Sequence, residues 1–468
     1  MTEPSAAETA GRRADAALYP PRAEPLSEAV SLPRLALRLI DNPISVWPAD
    51  IFEKPLAVTR MGTTESVWLA DPAHVKRVLL DEREQFPRTA LENRILGPLL
   101  GKGLLTADGA DWKWQRQIVA PLFRHHDLLD FVPLMRGAAD AFVAECLQGP
   151  PGVMRRIDRD MAGVTFRIIS DTMLPGGEAF VAEAFEAAAG DYLQPISWEV
   201  AYAVFGLPRW LPHPGTFRMR RIEREMRAAI AALLSSRRRD RSRRDDLLDR
   251  LLAARHPETG EPMSDDLLID NLLTFLSAGH ATTAMALTWT LYLLARAPEW
   301  EARVLAELDE VLGDRPVEAD DMDRLVETGK VLKEALRLYP PAPIIMRQAR
   351  EDTRFGDTPV RAGSHVVVPI YAIHRHRMFW DDPDRFDPER FTPEREAART
   401  RYQFMPFGAG PRICIGQAFA MIEAMVVLAT VIRALRFAAP AGAHPVPISR
   451  VTLRPKGGMA LKVGARAA

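Results

Sequence analysis

One cysteine constrains this 468-residue chain more than any other residue. Cys414 stands in the run Phe407-Gly408-Ala409-Gly410-Pro411-Arg412-Ile413-Cys414-Ile415-Gly416, on a glycine-rich loop directly before an apolar helical pattern. A thiol binds metal as its thiolate, and the free backbone N–H groups at a helix start lower the thiol pKa. Gly408 and Gly410 permit backbone turns closed to residues with a Cβ, which lets the loop approach a flat macrocycle closely. Gly416 frees amides to donate to the sulfur, and Phe407 packs on the sulfur side. Arg412 keeps its charge at any relevant pH and can reach a carboxylate at the macrocycle's edge. Inert burial after a turn is the commoner fate of a lone cysteine, but it leaves the residues around Cys414 without a reason.

The pattern F-x-x-G-x-R-x-C-x-G resembles the haem-binding signature of the cytochrome P-450 family, here of the soluble bacterial type. The resemblance implies a mainly α fold, a single helical haem domain with a small β region. It also implies haem b (iron protoporphyrin IX) as cofactor, with Cys414 as the metal ligand.

The residues agree with that fold class. Apolar positions recur at helical spacing over residues 140–147, 219–237, 246–255, 264–295, 300–312 and 330–338. Strand-like runs are few, at residues 56–60, 66–70 and 365–369. No internal repeat divides the chain, and residues 26–468 read as one haem domain behind a flexible arm of residues 1–25. That arm has no apolar signal region, and no later stretch supplies about 18 uninterrupted apolar residues, so no membrane anchor is expected. A net charge of −1 from 61 basic and 62 acidic side chains gives no global field for nucleic acid or anionic lipid. The basic run at residues 236–244 lacks stacking aromatics and reads as a solvated connector. Cys146 and Cys414 make no disulfide framework, which suits a reducing cytoplasm.

Further motifs gain weight from the resemblance. Glu334 and Arg337, at i and i+3, share a helix face; alone such pairs are common. Residues 380–391 resemble the family segment ending P-E-R-F, which implies that Arg390 joins Glu334 and Arg337 in a buried triad bracing the cysteine loop. Trp112 and Arg116 form W-x-x-x-R, two pure donors one helical turn apart, which the family aims at a haem propionate; taken alone the run reads as an amphipathic helix start. Arg347, after a proline-rich turn, occupies the region of another propionate donor, or else is a surface arginine at a strand edge.

The long helical pattern over residues 264–295 contains Ala278-Gly279-His280-Ala281-Thr282-Thr283, similar to the family's oxygen-binding segment. Small Ala278 and Gly279 make room for O2, and the Thr282 hydroxyl can bond it and relay protons. A threonine there can also merely bond back to the carbonyl one turn earlier. The chain departs at Ala281, where the family's usual pattern has Asp or Glu. A methyl group carries no proton, and a positioned acid typically contributes about 10²–10⁴-fold. Three readings stay open: a monooxygenase supplied with protons through water, His280 or the substrate; a hydrogen-peroxide-driven peroxygenase or peroxidase; and an engineered substitution at Ala281. A non-catalytic haem ligand-binding protein is a further class. His280 is a weak substitute for the acid, about 100° around the helix.

The resemblance places the substrate pocket among Leu96, Leu99, Leu100, Phe275, Ile344, Ile345 and Val451, all apolar, which implies an apolar small-molecule substrate. Each is individually as good a core residue. Electrons are expected from an external ferredoxin or flavodoxin with its reductase, docking near Lys113, Arg116 and Arg124; that charge can equally face the haem or solvent.

Overall fold

The computed structural model describes residues 17–28, 30–61, 64–150, 152–174, 192, 194–240 and 246–466. Among them the helices of at least eight residues are α1 (Leu32–Asp41), α2 (Ala90–Leu100), α3 (Gly109–Val119), α4 (Val132–Gln148), α5 (Ile157–Met173), α6 (Ile196–Val204), α7 (Thr216–Arg239), α8 (Asp265–Leu294), α9 (Pro298–Leu312), α10 (Val326–Leu338) and α11 (Gln417–Ala434). The strands are β1 (Leu56–Met61), β2 (Thr64–Leu69), β3 (Val153–Arg156), β4 (Ile345–Gln348), β5 (Thr353–Phe355), β6 (Thr358–Val360), β7 (His365–Val368), β8 (Leu435–Ala438), β9 (Pro447–Arg450), β10 (Thr452–Pro455) and β11 (Ala460–Ala465).

α8 is the spine of the molecule. The Ser264 hydroxyl accepts from the Leu267 N–H, and Asp265 and Asp266 occupy the first turn, so its orphan donors and dipole are both answered. From Leu268 to Leu276 and from Thr283 to Leu294 every residue is buried, as expected of a helix apolar on all sides. It packs against α2, α5, α7, α10 and α11. Between the two buried stretches, residues 277–279 and 281–282 are open.

The largest sheet has order β1-β2-β7-β4, with β2 and β7 parallel and the other pairs antiparallel. Val67 and Val366 face each other in the parallel register and are fully buried. A second sheet, β3-β11-β8, pairs residues far apart in the chain. α2 is capped by the Thr89 hydroxyl, which accepts from the Glu92 N–H, with Pro98 tolerated in its last turn.

Residues 1–16 of the expected arm lie outside the described residues, as do residues 241–244 of the basic run. The rest of the arm is bound to the body. Tyr339 donates its hydroxyl to the Pro21 carbonyl at 2.6 Å, the Ala23 N–H donates to the Tyr371 hydroxyl at 3.1 Å, and Arg22 pairs with Asp384 at 2.6 Å. The body therefore begins ahead of the expected boundary at residue 25. By length and composition α11 is apolar enough to cross a membrane, with mean hydropathy 1.6, a feature the sequence reading passed over. It is a mostly buried core helix here, packed on α4 and α8.

The expected triad assembles with one difference. Arg337 donates through Nε and Nη2 to the two Glu334 oxygens at 2.6 and 2.7 Å, both side chains being fully buried. Its guanidinium also donates to the carbonyls of His374, Pro383 and Arg385. Arg390 comes only to ion-pair distance of Glu334, 3.7 Å, and donates to the Asp382 carbonyl at 2.8 Å. Two guanidiniums repel, so Arg390 bonds backbone instead of Arg337.

Candidate functional site

The cysteine loop, the open stretch of α8, α2, α3 and β4 surround one cavity of about 1570 Å³. Cys414 lies deep in the protein but is open on the cavity side, so its sulfur reaches solvent only through the cavity. Its N–H donates to the Phe407 carbonyl at 2.9 Å, which closes the loop. Gly410, at φ +74°, presses against the turn at residues 77–81, where a Cβ would overlap the Leu79 carbonyl oxygen. Only glycine fits that approach.

Burial pushes the Cys414 thiol up, against the opposing pull of the Gly416 N–H and the Arg116 charge. The expected downward pull of the helix-start N–H is present and is outweighed by desolvation. A metal cation taking the place of the thiol proton is what this environment suits.

Trp112, Arg116, Arg347, Phe407, Arg412 and Gly416 line the same cavity. The Arg412 guanidinium lies 4.5 Å from the Trp112 ring centre and Arg116 lies 5.7 Å from it. Trp112 thus lies beside two cations. Arg116 donates to the Ile413 carbonyl at 3.0 Å, tying α3 to the cysteine loop. Arg412 bonds Asp108 and the Ala107 carbonyl, and its pKa is pulled down to about 10 by burial and by neighbouring Arg88 and Arg347. Arg347 bonds the adjacent Met346 carbonyl and comes no nearer than 3.9 Å to Glu92; burial lowers it. It is a partly buried residue of β4 that lines the cavity. Among the described residues, the carboxylates beside Arg88, Arg116, Arg347 and Arg412 are Glu92 and Asp108, which leaves a surplus of two positive charges in this group. A planar macrocycle with an iron centre and two propionates supplies what this cradle lacks: a cation over the sulfur and two anions among the arginines.

Ala278, Ala281, Thr282 and Thr283 line the cavity from α8. The Thr282 hydroxyl donates to the Ala278 carbonyl at 2.9 Å, leaving oxygen lone pairs free. Gly279 lines the cavity as well, and its smallness has a second use. A Cβ there would meet Ile169 Cδ1 at 2.8 Å, so its smallness serves close packing of α8 on α5 while Ala278 faces the cavity. The His280 ring is buried, edge-on to Phe166, with Nδ1 2.6 Å from the Leu276 carbonyl. Burial pushes its pKa down, so it holds no spare proton.

The sequence reading missed Glu423 of α11. Its carboxyl is fully buried, its oxygens make no well-formed hydrogen bond, and desolvation drives its pKa far up, with the Thr283 hydroxyl the only neighbour opposing. It also missed Arg88, Glu92 and Asp108, whose charges matter only once α2 and the residues before α3 meet the cysteine loop.

Leu96, Leu99, Leu100, Phe275, Ile344, Ile345 and Val451 all line the cavity. Val451 has φ +71°, a strained conformation for a β-branched residue, and sits at the turn between β9 and β10. Of the expected docking charges, Lys113 and Arg124 are exposed, while Arg116 is committed to the cavity.

A family model described as Cytochrome P450 matches residues 36–462. The chain is 32% identical over 379 residues to the cyclooctat-9-en-7-ol 5-monooxygenase of Streptomyces melanosporofaciens, covering 80% of this chain and 81% of that one. It is also 32% identical over 415 residues to the pentalenene oxygenase of Streptomyces avermitilis, covering 88% and 90%. The crystal structure of the cytochrome P450DA haem domain superposes with a TM-score of 0.76 at 28% identity, covering 88% of this chain and 89% of that one.

Proposed function

The chain belongs to the cytochrome P450 family, and from that premise we propose that it is a soluble cytoplasmic haem-thiolate monooxygenase. It inserts one oxygen atom from O2 into a compact apolar substrate, with electrons from an external ferredoxin or flavodoxin and its reductase. The observation that carries the reading is the meeting, on one cavity, of a lone thiol, a two-charge surplus of arginines and a threonine on an otherwise buried helix.

When bound, haem b supplies a thiolate-ligated iron at which O2 is reduced and its O–O bond broken. Cys414 would hold that iron, and Arg116, Arg347 and Arg412 would neutralise its propionates. Ala278 leaves space above the ring, and the Thr282 oxygen accepts a proton-bearing partner there because its own proton is given to Ala278. Leu96, Leu99, Phe275, Ile344, Ile345 and Val451 exclude water and orient an apolar body. Two relatives named for oxidising cyclooctat-9-en-7-ol and for oxygenating pentalenene support an olefinic hydrocarbon or its alcohol as the substrate class.

Ala281 favours a second reading. With no acid at that position and His280 buried, hydrogen peroxide, which brings both protons, is a competing oxidant. The two are separated by product formation under O2 with a surrogate ferredoxin and reductase, and under peroxide alone, each compared with Ala281→Glu. Coupled product with reductase in the unsubstituted protein supports the monooxygenase. Product from peroxide alone, with reductase-driven activity restored by Ala281→Glu, supports the peroxygenase. No product from a bound substrate under either oxidant overturns both.

A further inference from the structure

The last four carbonyls of a helix have no partner within it. At the end of α10 the Ala335 carbonyl accepts from the Tyr339 N–H at 2.8 Å and the Leu338 carbonyl from Arg375 Nη2 at 2.9 Å. The other two, of Leu336 and Arg337, lie beside His374, a fully buried histidine that does not line the cavity. Its Nε2 lies 2.9 Å from the Met405 backbone nitrogen. A backbone N–H only donates, so Nε2 must accept and the ring's proton belongs on Nδ1. Nδ1 is buried and makes no well-formed bond, but the acceptors near it are the carbonyls of Leu336 and Arg337. Burial, with the charges of Arg337 and Arg375, pushes the ring down to about 3, so it carries that single proton at neutral pH.

His374 stands between two parts of the molecule. On one side its carbonyl accepts from Arg337 Nη1 at 2.7 Å, and Arg337 is the fully buried partner of Glu334. On the other side Met405 is the foot of the cysteine loop: its carbonyl accepts from the Gly408 N–H at 2.9 Å, and the Phe407 carbonyl accepts from the Cys414 N–H at 2.9 Å. The His374 ring also lies against Phe404, with centres 5.2 Å apart. Backbone and ring of this one residue therefore connect the Glu334–Arg337 pair to the strand of chain that enters the loop.

We propose that His374 is a positioning residue for the sulfur ligand: a neutral imidazole with its proton on Nδ1, it accepts the Met405 N–H and so carries the bracing of the Glu334–Arg337 pair to the cysteine loop. The inference rests on reading Cys414 as the iron ligand, and it names a residue that keeps the sulfur in place. Without the acceptor the Met405 N–H is buried and unpaired, which costs more than the bond itself contributes. The loop regains a partner for that N–H only by moving toward water, and the sulfur moves with it.

The test uses haem-loaded protein and two substitutions. His374→Gln keeps an acceptor at the reach of Nε2, and His374→Leu fills the space without one. The thiolate- and thiol-ligated shares are read from the Soret band of the ferrous carbonyl form, and haem release from transfer to apomyoglobin. His374→Leu is expected to raise the thiol-ligated share and the release rate about 10-fold each, the worth of one buried donor left unpaired, while His374→Gln stays within about 2-fold of the wild type. Added to Glu334→Gln, His374→Leu is expected to do less than it does alone, because both act on one network. Unchanged ligation in His374→Leu, a Gln variant no better than the Leu variant, or full additivity with Glu334→Gln overturns the proposal. Should His374→Leu not fold, nitrogen NMR of the wild-type ferrous carbonyl form decides: a His374 signal protonated on Nδ1 alone from about pH 5 to pH 8 supports the link, and a proton on Nε2 anywhere in that range overturns it. Nothing turns over in these measurements, so they fail separately from the oxygenase reading. Sulfur-ligated haem that depends on His374 but gives no product under either oxidant keeps the positioning residue and removes the enzyme, while product from a protein indifferent to His374→Leu does the reverse.

Discussion

Glu423 is an acid that the fold holds neutral. Both oxygens are buried and only Thr283 opposes the desolvation that raises its pKa. Above the unfolded value of about 4.3 the native state keeps a proton that the unfolded chain releases. Native stability therefore falls as pH rises toward the folded pKa, by about 1.4 kcal/mol per pH unit from this group alone. Glu423→Gln has the same shape and no proton to lose, so its melting temperature should gain on the wild type steadily from about pH 5 to pH 8. Parallel melting curves for the two proteins across that range would refute the buried neutral acid. Nothing in the sequence marks Glu423, since one acid in an apolar helix reads as an interruption; its meaning comes from Thr283 on another helix. Cys414, Ala281 and Thr282 were legible because their chemistry depends on neighbours in the chain. Gly279 was half legible: its smallness is plain, but the neighbour it makes room for is Ile169 of α5.

Between elements, the salt-linked corner of Arg94, Glu199 and His213 joins α2 to α6 and to the loop before α7. His213 also faces the Tyr202 ring, and its backbone N–H donates to the Thr216 hydroxyl. The Glu199 hydrogen bond is the main cause of a raised His213 pKa, opposed by burial and by Arg94. Its contribution is therefore complete below the unfolded histidine pKa of about 6.5 and is lost as pH rises through the folded one. Hydrogen exchange across residues 196–216 should speed up over that step, and His213→Gln should exchange quickly on both sides of it. A wild-type pH profile no different from that of His213→Gln would show the corner to be inert. Helical periodicity located α7, α8, α9 and α10 and the second half of α4, but passed over the whole of α5. It did not find α2, whose apolar residues are split by Asn93, Arg94 and Pro98, nor β3 and β8–β11, whose partners lie far off in sequence and whose alternation lasts only a few residues.

At the scale of the whole molecule, Glu334 is the carboxylate that answers Arg337, stands opposite Arg390 and accepts from the Asp387 N–H at 2.8 Å. Glu334→Gln takes the paired carboxylate from the fully buried Arg337, while Arg390 keeps Asp387 and Asp382 nearby. Such a break typically costs about 3–5 kcal/mol, and denaturant unfolding should show it together with faster haem loss. An unfolding midpoint within error of the wild type would mean that the backbone carbonyls around Arg337 suffice. The triad was legible because its two motifs are short and chemically unusual, although the sequence could not tell that Arg390 would take the Asp382 carbonyl. The overall class was legible from helical periodicity, and three of the cradle's arginines, Arg116, Arg347 and Arg412, were legible through their motifs; Arg88 was not, because nothing near it in the chain marks it. The contact of Gly410 with the Leu79 carbonyl bears on recombination. The metal-binding loop and the turn at residues 77–81 are two halves of one moulded joint made more than three hundred positions apart. A chimera with a relative, crossed over anywhere between them, inherits halves shaped in different lineages, so viable hybrids should exchange both segments or neither.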